Sequence, residues 1–220
     1  MPPVAWPLAL TLTRLVLGPV MLLLAWLHPS PGPWLAAGVV VGFLTDLFDG
    51  IVARYLSVAT FGLRRLDSQT DLVFWLSVLG SVFVARWETA VANTGYIAGM
   101  LVLECSLYAI SFAKFSREPC THAYSAKAWS VLAVGGFVTV LAFDDAVYAF
   151  AAMFFTYALS WLDIVAILLI LPQWRSDVPS CYHAWLIRRG STFRTWKLFH
   201  SGQDEQPVPY KTPVRGPGLD

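Results

Sequence analysis

Charge is what this chain of 220 residues has least of: Asp, Glu, Lys and Arg together make up 13% of it, against about 25% in an average soluble domain. So few charges cannot solvate a globular surface, and they exclude intrinsic disorder and the basic composition of nucleic-acid binders. The net charge of +1 leaves no bulk field to draw in acidic partners, so no nucleic acid is expected. Cysteine is scarce too. Cys105, Cys120 and Cys181 have no C-x-x-C spacing, which excludes a disulfide framework and a Cys-based zinc site. The four histidines (His28, His122, His183, His200) lack any H-x-x-x-H spacing, so they do not read as metal ligands. What is abundant is apolar mass: 57% hydrophobic residues and a mean hydropathy of +0.60.

That mass falls in long runs. A membrane span needs about 20 mostly apolar residues. Six runs qualify: Trp6 to Leu27, Trp34 to Leu56, Ser68 to Trp87, Ala92 to Phe115, Ala128 to Phe143 and Val147 to Leu171. The first contains Arg14 but no small-x-small cleavage site before Pro29, so it reads as a retained span. Breakers such as Pro29-Ser30-Pro31-Gly32-Pro33 and Asp144-Asp145 separate the runs. Arg54, Arg64 and Arg65 flank the second connector, and Lys114, Arg117 and Lys127 the fourth; seven more cations follow the sixth run, while Arg86 lies on the other side. The positive-inside bias then places both termini in the cytoplasm. The expectation is an all-α membrane protein of six transmembrane helices. Residues 1–171 form the membrane domain, and 172–220 a cytoplasmic tail. The tail's basic-aromatic part (Tyr182, Trp185, Arg188, Arg189, Phe193, Arg194, Trp196, Lys197) reads either as a lipid-surface segment or as a solvated one. From Gln203 onward it reads as disordered. No internal repeat is visible.

Four acids stand where a bilayer disfavours them. Asp46 and Asp49 lie three apart near the end of the second run, and Asp67 and Asp71 four apart around the start of the third. Each pair shares a helix face, and the short connector makes the two helices antiparallel neighbours. One intramembrane acid costs about 2.5–3.5 kcal/mol on insertion scales, so four approach ~10 kcal/mol. Arg54, Arg64 and Arg65 are the nearest cations in sequence. An all-oxygen cluster also suits hard divalent ions such as Mg²⁺, Mn²⁺ or Ca²⁺. Gly50 and Ala53 clear bulk beside the carboxylates, either for a ligand or for helix packing.

Asp46-x-x-Asp49-Gly50-x-x-Ala53-Arg54 followed by Asp67-x-x-x-Asp71 resembles the signature of the CDP-alcohol phosphatidyltransferases. Gly62 stands one place earlier than the family pattern has its internal glycine. Leu10-Thr11-Leu12-Thr13-Arg14 is similar to the family's L-T-x-x-R opening. The resemblance implies a site at the cytoplasmic face where Asp46, Asp49, Asp67 and Asp71 hold two ions, Mg²⁺ or Mn²⁺. It also implies a CDP-linked lipid donor, usually CDP-diacylglycerol, whose nucleotide lies against Asp46, Gly50, Ala53 and Arg54. An alcohol acceptor attacks and CMP leaves. The residues alone do not choose between Asp67 and Asp71 as base; the family assigns that role to the last aspartate, here Asp71. Members often form homodimers.

The acceptor stays open. Lys114, Arg117 and Lys127 are candidate ligands for an acceptor phosphate, although positive-inside topology alone would also put them there. Members acting on glycerol phosphate tend to carry G-K-x-K-T where this chain has Ala126-Lys127-Ala128-Trp129-Ser130. Glu104 and Asp163 are two further intramembrane acids. Glu104 has Arg14 as a possible partner or an acceptor's polar group, and Asp163 a contact between helices. The rival functional classes are a cation- or proton-coupled transporter and a catalytically silent relative that binds lipid nucleotide. The clustering of the acids at one face disfavours the first, and the intact quartet the second.

Overall fold

The computed structural model describes residues 4–191 apart from Ser57, Ala59, Cys120, His122 and Asp177, without the side chains of Arg54, Phe61 and Arg64. The tail beyond residue 191 and the Arg54 and Arg64 side chains therefore lie outside the described residues. Among the described residues eight helices follow one another: α1 (Ala5–Leu27), α2 (Gly32–Tyr55), α3 (Phe61–Ala85), α4 (Trp87–Ala92), α5 (Thr94–Phe115), α6 (Tyr124–Phe143), α7 (Ala149–Ile170) and α8 (Cys181–Arg188). There is no strand among the described residues. Six of the helices (α1, α2, α3, α5, α6, α7) are long and apolar enough to cross a membrane.

Local chemistry fixes the ends. The third span was expected to open at Ser68, but α3 begins at Phe61 because the Thr60 hydroxyl accepts from the Leu63 amide at 3.3 Å, a helix N-cap. Asp67 and Asp71 consequently lie well inside the helix. Ser116 (φ 54°) and Asp144 (φ 56°) end α5 and α6 in the left-handed conformation. Two ion pairs gather the connectors. Arg65 Nε holds Glu118 Oε1 at 2.8 Å at one end of the bundle. At the other, Arg86 donates to the Leu141 carbonyl at 2.9 Å and lies 3.6 Å from Asp144.

α1 packs on α2 and α3, α2 on α6, and α7 on α5, α6 and α8. The buried stripe of α1 (Thr11, Arg14, Gly18, Met21, Ala25) steps at helical spacing. One core joins it to Leu35, Val39, Phe74, Val78 and Phe137; a second, built on Ile164, Ile167 and Leu168, takes in Ala184 of α8. The stretch from Tyr182, read from sequence as a lipid-surface or solvated tail, is thus partly helical and anchored on α7. Large apolar side chains such as Val16, Leu23, Val102 and Leu159 face outward, as they do where the solvent is lipid.

Gly18 lets α1 touch α3. A Cβ there would sit 2.9 Å from Ser77 Oγ and 3.3 Å from the Phe74 Cα. A Cβ on Gly62 would meet nothing within 4 Å. We expect Gly18→Leu to destabilise the bundle by about 1–3 kcal/mol through overpacking, and Gly62→Ala to leave it unchanged or slightly firmer. Thermal unfolding of the two variants in detergent, side by side, checks both.

Candidate active site

Three helices build the site. α1 contributes Thr11 and Arg14, α2 Asp46 and Asp49, and α3 Asp67 and Asp71. The i, i+3 and i, i+4 spacings put each acid pair on the face its helix turns toward α1. Their focus is the Arg14 guanidinium, which is fully buried. Its Nη1 donates to Asp46 Oδ1 and Asp71 Oδ1. Its Nη2 donates to Asp49 Oδ2 and Asp67 Oδ1, each at 2.5 Å. Thr11 adds a hydroxyl donor to Asp49 Oδ2 at 3.2 Å. The Nε of Arg14 is buried with no hydrogen-bond partner among the described residues.

The quartet is graded from shut to open. The Asp49 side chain is 5% exposed, Asp67 21%, Asp71 33% and Asp46 40%. One carboxylate oxygen from each of Asp46, Asp49 and Asp67 lies within 4.8 Å of the others. Like charges at that separation repel by roughly 3 kcal/mol per pair at an effective dielectric of about 20. One guanidinium against four carboxylates leaves a formal excess of three negative charges. Hard oxygen donors, close spacing and unspent negative charge fit divalent cations, and Asp46, Asp49 and Asp67 are the residues best placed to share one. Asp71 meets the others through Arg14.

The remaining expectations sort by partner. Gly50 and Ala53 lie one and four residues beyond Asp49 on α2, Ala53 being buried. Arg65 does not serve the aspartates; it is drawn to Glu118. Lys114 donates to the carbonyls of Leu168 and Leu169 at 2.8 and 2.7 Å, closing the last turn of α7. The Arg117 guanidinium lies 5.1 Å from the centre of the Trp174 ring. Lys127 stands in the first turn of α6, half-buried. Glu104 does not reach Arg14, since it accepts from the Tyr157 hydroxyl on α7. Asp163 accepts from Ser125 at 2.8 Å and from the Cys181 amide at 2.9 Å, the contact between helices that was expected of it. Sequence reasoning missed the central place of Arg14. The available signal was its own improbability: an arginine well inside an apolar run needs anions around it.

The model of the family described as CDP-alcohol phosphatidyltransferase matches residues 4–171, from the start of α1 to the end of α7. The chain belongs to that family. No curated relative and no solved structure matches it. As a CDP-alcohol phosphatidyltransferase it is a transferase of phospholipid biosynthesis and a multi-pass membrane protein, and members of the family use divalent metals. The region matched takes in Thr11, Arg14 and all four aspartates that the geometry gathers from α1, α2 and α3.

Removing Arg14 would leave the quartet without its internal cation. Arg14→Ala should cost about 3–5 kcal/mol of stability in chelator, the range for breaking a buried ion pair. Added Mn²⁺ should recover part of that loss, and more of it than in the unaltered protein, because binding to the folded state stabilises it by mass action. Thermal unfolding of both proteins with EDTA and with Mn²⁺ reads the difference; equal metal responses would contradict it.

Proposed function

We propose that this chain transfers the phosphatidyl group of CDP-diacylglycerol to the hydroxyl of an acceptor alcohol and releases CMP. The observation that carries this reading is the convergence of four carboxylates from α2 and α3 on a single guanidinium. So large an excess of negative charge suits a site that receives cations together with a pyrophosphate. Asp46, Asp49, Asp67 and Asp71 would hold two ions, Mg²⁺ or Mn²⁺. Bound there, they supply charge neutralisation for the phosphate oxygens, the main requirement of phosphoryl transfer.

The chain's own residues do the rest. Gly50 and Ala53 present a low surface on α2 against which the cytidine nucleotide fits, with Arg54 beyond them. Asp71 takes the proton of the acceptor hydroxyl. The acceptor oxygen forms its bond to the lipid-side phosphorus as the bond from that phosphorus to the bridging pyrophosphate oxygen breaks. CMP leaves with the electron pair. Asp71 suits the role of base because it is the more open of the two α3 acids. Arg14 and Thr11 hold the Asp49 carboxylate in place. The Arg65–Glu118 pair puts the α2–α3 and α5–α6 connectors at one end of the bundle. That end carries most of the cations between spans, which supports a site facing the cytoplasm.

Purified protein given CDP-diacylglycerol and a panel of alcohols should release CMP with Mg²⁺ or Mn²⁺ and stop when EDTA is added. Loss of a general base costs about 10²–10⁴-fold, so Asp71→Asn should lower the rate by at least that lower factor. Asp46→Asn should instead raise the metal concentration needed. CMP release that survives chelation, or that Asp71→Asn leaves intact, would refute the assignment.

A further inference from the structure

A cavity of about 360 Å³ opens beside the aspartate cluster, within the range of about 300–1,000 Å³ typical of ligand sites. The end nearest the cluster is lined by Ser68 and Asp71 of α3 with Pro119 and Thr121 of the α5–α6 connector. From there it runs between α3, α5, α6 and α7. The wall on α3 extends from Ser68 to Leu79, about 16 Å at the helical rise of 1.5 Å per residue. The wall on α5 covers a similar length, from Tyr108 to Ile97. That is about half the thickness of a bilayer's hydrocarbon core, which is roughly 30 Å. The hollow is therefore long, parallel to the helices, and bounded at one end by Asp71.

Its lining is apolar in effect as well as in composition. Polar side chains in the wall beyond Asp71 donate to protein partners. The Trp129 indole N–H goes to the Met153 carbonyl at 3.0 Å, and the Ser130 hydroxyl to the Lys127 carbonyl at 2.8 Å. The Tyr157 hydroxyl goes to Glu104. Among the described residues no Lys, Arg or His lines the cavity; the charged groups there are the acids Asp71 and Glu104. Away from Asp71, a phosphorylated acceptor would meet the carboxylate of Glu104 and no described cation along the walls. A polyol would lose its hydration without replacement. Of the three cations expected to hold an acceptor phosphate, Lys114 and Arg117 are engaged at the end of α7 and on Trp174, and Lys127 stands on α6 next to the lining residue Ala126 without itself lining the cavity. α2, which carries the proposed nucleotide surface, contributes no described residue to the lining, so the nucleotide end of the donor and the occupant of this cavity approach Asp71 from different sides.

We infer that the acceptor is itself a lipid: an alcohol whose long hydrocarbon body lies in the cavity between α3, α5, α6 and α7 and whose hydroxyl stands at Asp71. The inference rests on the transferase reading above and names its acceptor class. The step is unchanged in its balance. The lipid alcohol's oxygen bonds to phosphorus, its proton passes to Asp71, and CMP departs with the bridging oxygen, leaving two apolar bodies joined through one phosphodiester.

The full chain, reconstituted with CDP-diacylglycerol and Mn²⁺, is offered lipid alcohols (long-chain primary alcohols, diacylglycerol, phosphatidylglycerol) and water-soluble ones (glycerol 3-phosphate, serine, inositol phosphate). Lipid alcohols should release CMP at least about tenfold faster at equal concentration. Across primary alcohols of increasing length the unaltered protein should show an optimum set by the cavity. Leu79→Trp, which fills the far end, should move that optimum to shorter chains without changing the dependence on donor chain length. Faster reaction with a water-soluble acceptor overturns the inference while leaving the transferase reading intact. A flat length profile in the unaltered protein, which needs no variant to fold, also overturns it. So does a shift in donor rather than acceptor chain preference in Leu79→Trp, since the cavity then holds the donor's chain. CMP release with neither class removes the transferase reading and this inference together.

Discussion

The structure depends on a single guanidinium closed inside a ring of carboxylates. Arg14 cannot lose its charge, and it has no contact with solvent. Four aspartates cannot share so small a volume without a cation among them. Each side therefore makes the other tolerable, and the geometry this demands reaches through three helices. α1 must lie in the groove between α2 and α3, at a depth that puts residue 14 level with residues 46, 49, 67 and 71. Gly18, one turn further on, provides the close approach to α3 that this depth requires. Thr11, almost one turn earlier, completes the shell around Asp49. One interaction thus sets the position of a helix that contributes no acid to the cluster.

The sequence made the acids legible and their counter-ion obscure. Charges inside apolar runs are conspicuous because their cost is large, and spacings of three and four translate directly into a shared helix face. The resemblance of the aspartate pattern to a family signature carried over to the model match across residues 4–171. Which cation answers the acids is a question of tertiary packing. Arg54, Arg64 and Arg65 are near in the chain, yet Arg65 turns to Glu118 on another connector, while Arg14, far away in sequence, is brought in by α1. The same reasoning applies to Lys114. Its position at a span end suggested a substrate ligand. The terminal carbonyls of α7 compete for the same donor, and an unsatisfied helix end beside a membrane is expensive. The start of α3 was missed for a smaller reason: one hydroxyl cap at Thr60 extends the helix across polar residues that a hydropathy window averages out.

Below the cluster the interior changes character. The Glu104–Tyr157 pair and the Trp129–Met153 bond close polar groups on one another, so a hollow lined by them presents hydrocarbon to its occupant. A membrane protein has little reason to keep such a hollow empty, because lipid chains fill apolar space at little cost and no hydrophobic force drives its helices together. An apolar cavity of about 360 Å³ ending at a carboxylate is consistent with a site that receives chains routinely.

α3 joins these two interiors, and its rotation couples them. Asp67, Asp71 and Phe74 face α1 and α2; Ser68, Leu72, Leu76 and Leu79, offset by about one residue around the helix, face the cavity. Asp71 lies on the boundary and belongs to both sets. Turning α3 by one residue, about 100°, would carry Asp71 away from Arg14 or out of the cavity wall, so the site works in one register alone. Phe74, wedged where Gly18 and Gly42 leave room, with Val78 and Val82 fully buried behind it, fixes that register. The apolar packing of α3 far from the acids is therefore part of how Asp71 is held between the charged end of the bundle and its hydrocarbon interior.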